Sequence, residues 1–216
     1  MSAPSKQVPI YHITHVNNLR SIINRNALWS DAKCRHQGLT LAQVGMSEIK
    51  DRRLNKLEVR CHQGTKVGEY VPFYFCSRSI MLYLLFRGNH SGLTYTGGQR
   101  AILHLQADLQ AVVCWADKQG VNWAFSDRNA GTRYASFYND LNDLGRIDWN
   151  AVNATDFRDS QVKEGKQAEF LMYQEFPWQL VEKIGTCDQM VANQVNQTLQ
   201  NSTHRPVVSI ERGWYY

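Results

Sequence analysis

An α+β fold is predicted for this chain, and three observations predict it. Short β-prone runs and amphipathic helical stretches both recur along the 216 residues. They alternate without a strict strand–helix–strand rhythm. No strand is followed by G-x-G-x-x-G or G-x-x-x-x-G-K, so neither parallel-sheet nucleotide site is supported. The length suits one substantial core, read as a single domain over 1–216. Hydrophobic residues at 43% and charged residues at 20% exclude a disordered or fibrous class. Disorder is expected only for about the first seven residues.

Taken in order, Val8 to Thr14 reads as a strand with Ile10, His12 and Thr14 on one face and Tyr11 and Ile13 on the other. A helix follows from His15, striped by Val16, Leu19, Ile22 and Ile23. Met46 to Leu57 is helical by period, and Met46, Ile49, Arg53 and Leu57 share one face. Arg53 thus points inward, where it needs a protein carboxylate or a ligand phosphate. Arg60 to Glu69 is a loop, and Tyr70 to Cys76 a strand. Ser79 caps a helix over Ile80 to Phe86. Gln99 to Gln106 is a strand, Asp108 to Lys118 a helix and Val121 to Ser126 a strand. A helix is expected over Tyr134 to Leu144, then a polar, irregular stretch from Ile147 to Gly165 suited to substrate recognition. A helix from Pro177 to Ile184, another from Met190 to Leu199 and a strand from Arg205 to Ile210 complete the series.

Lys166 to Tyr173 (KQAEFLMY) organises the rest. Alternation sends Ala168, Phe170 and Met172 to one face and Gln167, Glu169, Leu171 and Tyr173 to the other, which describes an interior strand carrying a carboxylate. Burying an ionised Glu169 is costly unless it is paired. Two readings remain open: an ion pair with Lys166 or an arginine, or a catalytic carboxylate held rigidly beside a cleft.

Net charge is +5, concentrated at Lys50, Arg52, Arg53, Lys56, Arg60 and Lys66. That run fits a nucleic-acid backbone track, and equally a solvated face. Five cysteines form no CxxC pair, and no amino-terminal hydrophobic segment is present, so a reduced, cytoplasmic setting is expected. The longest apolar run, Ile80 to Phe86, is too short to span a bilayer. His12 with His15, and Cys34-Arg35-His36 with Cys61-His62, lack zinc-site spacing, so no metal is expected.

Several motifs in order resemble the DarT-type DNA ADP-ribosyltransferases, the toxin half of a bacterial toxin–antitoxin pair. They are Tyr11-His12-Ile13-Thr14-His15, Asp51-Arg52-Arg53, Val71-Pro72-Phe73-Tyr74-Phe75, Lys166-Gln167-Ala168-Glu169-Phe170-Leu171 and Trp214-Tyr215-Tyr216. The resemblance runs along nearly the whole chain. It implies an ADP-ribosyltransferase fold, with two small, mostly antiparallel sheets forming a cleft for NAD. It also implies transfer of ADP-ribose from NAD to thymine in single-stranded DNA. On this resemblance Glu169 is the catalytic glutamate and Arg53 the catalytic, NAD-contacting arginine. His12, Thr14, Asn18, Tyr74 and Met81 line the NAD site. Arg52, Lys56 and Lys166 are the candidate DNA contacts. The implied partners are single-stranded DNA and a macrodomain antitoxin that removes the modification, with the enzyme a monomer in the bacterial cytoplasm.

The chain departs from the family pattern twice. Ile80 follows Arg78-Ser79 where relatives have proline, and Asn129 follows Asp127-Arg128 where a histidine is expected. The chemistry implied is loosening of the nicotinamide–ribose bond, with positive charge building on the ribose carbon beside a carboxylate. The thymine nitrogen must lose its proton, which Arg53 or Glu169 could assist. Glu169→Ala is expected to abolish transfer while leaving folding nearly intact. Two competing readings are a same-fold transferase acting on guanine, RNA or protein, and a non-catalytic single-strand-binding module. The latter would release no nicotinamide when mixed with NAD and DNA.

Overall fold

The computed structural model describes residues 7–216; the expectation for the first seven residues falls, but for Gln7, outside them. The chain opens with β1 (Pro9–His15), α1 (Leu19–Arg25), β2 (Ala27–Trp29) and α2 (Asp31–His36). After these come α3 (Ser47–Asn55), β3 (Tyr70–Tyr74), α4 (Ile80–Arg87), β4 (Ile102–Asp108), α5 (Leu109–Gln119) and β5 (Trp123–Ser126). The remainder is β6 (Phe137–Tyr138), α6 (Trp149–Asn153), α7 (Ser160–Gly165), β7 (Glu169–Tyr173), β8 (Glu175–Pro177), β9 (Lys183–Thr186), α8 (Gln189–Leu199) and β10 (Val207–Ile210). The predicted α+β class holds, with unequal sheets: eight strands in the order β10-β9-β4-β1-β3-β7-β5-β6, and two in the order β2-β8. Strands β9 and β10 run parallel, and the other named pairs are antiparallel.

The large sheet has a seam. β1 pairs with β4 continuously from Pro9↔Asp108 to His15↔Ile102, and β3 pairs with β7 from Tyr70↔Tyr173 to Tyr74↔Glu169. Between β1 and β3 only Tyr11↔Tyr74 is in register. Pro72 stands in the middle of β3, where it has no N–H to give a ladder. Its carbonyl instead accepts from His12 Nδ1 at 2.8 Å. The sheet therefore divides into two four-stranded leaves that part at β1 and β3, and a cleft opens between them.

β7 is the interior strand expected, flanked by β3 and β5, with Phe170, Leu171 and Met172 fully buried. In the main core beneath it Phe73 packs edge-to-face on Phe170 and tilted against Phe176. The cap read at Ser79 forms, its Oγ accepting from Leu82 N, while Asp108, expected inside its helix, caps it instead by accepting from Ala111 N. Ile80 is buried at the start of α4, so the change from proline leaves that helix intact.

Three regions differ from expectation. The helix predicted over Tyr134 to Leu144 is instead β6 followed by a 3₁₀ turn, Leu141–Arg146. Phe137 and Tyr138 pair with Ser126 and Phe125, and the Tyr138 ring stacks on Phe125 at 5.3 Å. Sheet edge pairing overrides the local helical pattern. The helix predicted over Pro177 to Ile184 is the end of β8, a 3₁₀ turn and β9. There Trp178 Nε1 is anchored to His204 O, and β9 pairs with β4. The stretch from Ile147 to Gly165 contains two short helices, capped by Asp148 and Asp159.

Candidate active site

The cleft at the seam is a cavity of about 510 Å³. β1 contributes His12, Ile13 and Thr14; β3 contributes Pro72 and Tyr74; α4 contributes Met81. The opposite wall is α3, through Ser47, Lys50 and Leu54, together with the 39–45 stretch. Of the six residues expected to contact NAD, His12, Thr14, Asn18, Tyr74 and Met81 line this one cavity, whereas Arg53 is not part of its lining. A cavity of this size suits a dinucleotide, and its walls offer amide, hydroxyl, aromatic and ammonium groups.

Asn18 also braces the wall it belongs to. Its Nδ2 donates to Thr14 Oγ1 (3.1 Å) and Ala42 O (3.0 Å), and its Oδ1 accepts from Ala42 N (2.8 Å). It therefore clips the 39–45 stretch across the cleft. His12 is half-buried in the cavity wall, and its loss of solvent lowers its pKa and keeps it neutral against Pro72 O.

Beside the cavity Arg53 meets Glu169 in a bidentate pair, Nη1 to Oε1 at 3.0 Å and Nη2 to Oε2 at 2.9 Å. Their separation of 116 positions in sequence is closed because α3 packs against the Val67–Glu69 turn that leads into β3, the strand that pairs with β7. The side chains are 13% and 3% exposed. Ala130 N donates to the same Oε1 at 3.2 Å. Burial opposes the guanidinium's charge, yet the Glu169 carboxylate outweighs it and holds the Arg53 pKa above its ordinary value. Burial, then the nearby Glu169 charge, keeps the Tyr74 phenol protonated. Leu54 and Tyr74, the neighbours of Arg53 along α3 and of Glu169 across the sheet, form the adjoining cavity wall. The ion-pair alternative is what the structure contains: the carboxylate and the arginine are each other's partner, and the pair lies beside the cleft. The expectation that Glu169→Ala leaves folding nearly intact is revised, because it would strand a mostly buried guanidinium.

α3 reaches this position because Gly68 lets it. A Cβ at Gly68 would lie 2.8 Å from the Leu54 Cα, one residue from Arg53. The loop from Asp127 is equally built: Asn129 Nδ2 donates to Gln167 Oε1 (3.0 Å), and its Oδ1 accepts from Gly131 N (2.7 Å). The residue that departs from the family pattern thus shapes the loop whose Ala130 N–H holds Glu169.

The candidate DNA contacts divide. Arg52 and Lys56 are exposed on α3. Lys166 is not on that face. It is 3% exposed and its ammonium donates to Val152 O at 2.8 Å, because the turn entering β7 folds it inward. The basic run is also less open than its composition suggests, since Lys50 pairs with Asp31 (2.8 Å) and Lys66 with Glu58 (2.7 Å). Trp29, Ser30, Asp31 and the 39–45 stretch were not foreseen as cavity walls. Of these only Ser30 carried a signal, as the cap of α2 through Lys33 N.

A family model described as "DarT: ssDNA thymidine ADP-ribosyltransferase" matches residues 11–216. The chain belongs to the DarT family. It is 38% identical to a DNA ADP-ribosyl transferase of Thermus sp. (strain 2.9), over 96% of each chain. It is 39% identical to that of Thermus aquaticus, over 96% of this chain and 88% of the relative. The solved Thermus sp. 2.9 DarT in complex with ADP-ribosylated single-stranded DNA superposes with a TM-score of 0.89 at 36% identity, covering 100% and 99% of the two chains. The same protein in complex with NAD+ gives 0.79 at 33% identity, with 100% of each chain covered. As a DarT, this chain is an NAD-dependent ADP-ribosyltransferase acting on thymidine in single-stranded DNA. No helix among the described residues is long and apolar enough to cross a membrane.

Proposed function

We propose that Glu169 and Arg53 carry the transfer and that the cavity at the seam seats NAD, with His12, Thr14, Tyr74 and Met81 as its walls and Asn18 as the clip that closes it. The observation that carries this reading is the bidentate Arg53–Glu169 pair beside the cavity, next to the wall formed by Leu54 and Tyr74. NAD supplies an ADP-ribosyl group on a nicotinamide leaving group. Glu169, fixed by Arg53 and the Ala130 amide, presents a negative charge that needs no reorganisation as the ribose carbon becomes positive. Arg53 sets the orientation of that carboxylate and lies within reach of a pyrophosphate. The half-buried, neutral His12 and the protonated Tyr74 add no competing charge. Arg52 and Lys56, exposed on the same helix that presents Arg53, meet the DNA backbone.

A base paired in a duplex hides its ring nitrogen, so an unpaired strand suits a rigid cleft. As a toxin, the enzyme works as a monomer in the bacterial cytoplasm, opposed by a macrodomain antitoxin that removes the adduct. The test is labelled NAD with short single strands differing at one base. Glu169→Gln should abolish labelling of the thymine-containing strand while NAD still binds. Labelling at the wild-type rate would remove Glu169 from the chemistry.

A further inference from the structure

Ser126, the last residue of β5, has no exposed surface. A buried hydroxyl costs stability unless its proton and its lone pairs are both used. β5 pairs with β7 from Trp123↔Met172 to Phe125↔Phe170, and one step further Ser126 comes opposite Glu169. There the side chain makes the link: the Glu169 N–H donates to Ser126 Oγ at 3.2 Å. The hydroxyl proton goes to Arg128 O at 2.6 Å, which is far better placed than Glu169 O at 3.5 Å.

Arg128 O belongs to the peptide unit just before the one that carries the Ala130 N–H. That amide donates to Glu169 Oε1 at 3.2 Å, and Ala130 is fully buried, so no solvent competes for it. Just beyond it Asn129 Oδ1 accepts from Gly131 N at 2.7 Å and clamps the loop from its other side. The contacts close a ring: from the Ser126 hydroxyl to Arg128 O, along the loop to the Ala130 amide, across to the Glu169 carboxylate, and back through the Glu169 amide to the hydroxyl. One side chain thus fixes both the backbone of residue 169 and the donor aimed at its carboxylate.

The Glu169 carboxylate already has both oxygens on Arg53, so the ion pair does not need this ring. The ring matters once the guanidinium turns to the substrate, because the Ala130 amide is then the hold that stays. We propose that Ser126 is a positioning residue for the transfer: it locks the start of β7 to the 127–131 loop, so that Glu169 keeps its place when Arg53 engages NAD. The inference rests on the reading of Glu169 as the transfer centre.

The test compares Ser126→Thr with Ser126→Val in the full chain, two side chains of similar shape of which only threonine keeps the hydroxyl. Ser126→Ala removes the hydroxyl without adding bulk. Displacing a reacting group by about 1 Å costs on the order of 100-fold, so Ser126→Ala and Ser126→Val should lower kcat about 10- to 100-fold and leave the KM for NAD and for the strand nearly unchanged. Ser126→Thr should retain most of the wild-type kcat. Magnetic resonance spectra of protein labelled at the alanine nitrogens read the ring without turnover. The Ala130 N–H signal, drawn downfield by its carboxylate, should move upfield in Ser126→Val and in Glu169→Gln and hold its place in Ser126→Thr. Equal kcat in the threonine and valine variants, a wild-type kcat in Ser126→Ala, a loss confined to KM, or an Ala130 signal indifferent to the hydroxyl overturns the proposal. Labelling of the strand by Glu169→Gln at the wild-type rate overturns instead the transfer reading on which it rests.

Discussion

Removing one member of the Arg53–Glu169 pair should cost more than activity. Glu169→Gln keeps the shape of the side chain but removes the charge facing a guanidinium that is 13% exposed. Breaking a buried pair from one side costs about 3–5 kcal/mol, because the remaining charge is left unpaired. Arg53's modest exposure and the amide oxygen that Gln retains place the expected loss near the lower end, about 3 kcal/mol. For a domain of this size each 1 kcal/mol shifts the Tm by about 2–4 °C, so a fall of roughly 6–12 °C is expected. Arg53→Gln combined with Glu169→Gln removes both charges and should recover a good part of the loss. The assay is a double-mutant cycle by thermal and urea unfolding of the four proteins. A Tm for Glu169→Gln within about 2 °C of wild type, or simple additivity in the double variant, would refute the argument that each charge is the other's required partner.

Two further outcomes follow from the packing around the site. Gly68→Ala drives a methyl group against the Leu54 backbone, so α3 must shift and take Arg53 with it. Overpacking of this kind costs about 1–3 kcal/mol, and kcat should fall at least tenfold, whereas unchanged kinetics would mean that α3 is not held by this contact. His104 is buried with Nε2 donating to Ser77 O and Nδ1 unpartnered, and burial pushes its pKa down to about 4. The unfolded chain binds that proton near pH 6.5, so stability is complete above 6.5 and declines as pH falls toward 4, by about 3 kcal/mol in all. His104→Gln should flatten the stability profile across that window; an identical slope would assign the acid sensitivity to other groups.

The site was legible wherever a residue broke its own local pattern. Glutamate inside an apolar strand and arginine inside an apolar helical face were each visible by period alone. What period could not supply was that the two satisfy one another, since 116 residues separate them. The same limit explains Lys166, which reads as a free cation until the turn before β7 folds it against Val152. It also explains Lys50, whose partner Asp31 belongs to a short helix that the pattern did not reveal. Elements with strong caps, such as α4 and α5, were found close to their true bounds. Those decided by pairing with distant strands, β6 and β9, were mistaken for helices, because an edge register is a property of the neighbour as much as of the strand.

The seam at Pro72 has a mechanical consequence. With a single backbone pair stitching one leaf to the other, cohesion across that line depends on side chains and on whatever molecule fills the gap. A dinucleotide lying along it acts as a rivet, and the folded state gains by mass action whenever the rivet is in place. On the proposed seating of NAD in this cleft, a cell with ample NAD would keep this protein tightened as well as supplied, and depletion of the co-substrate would loosen the same joint.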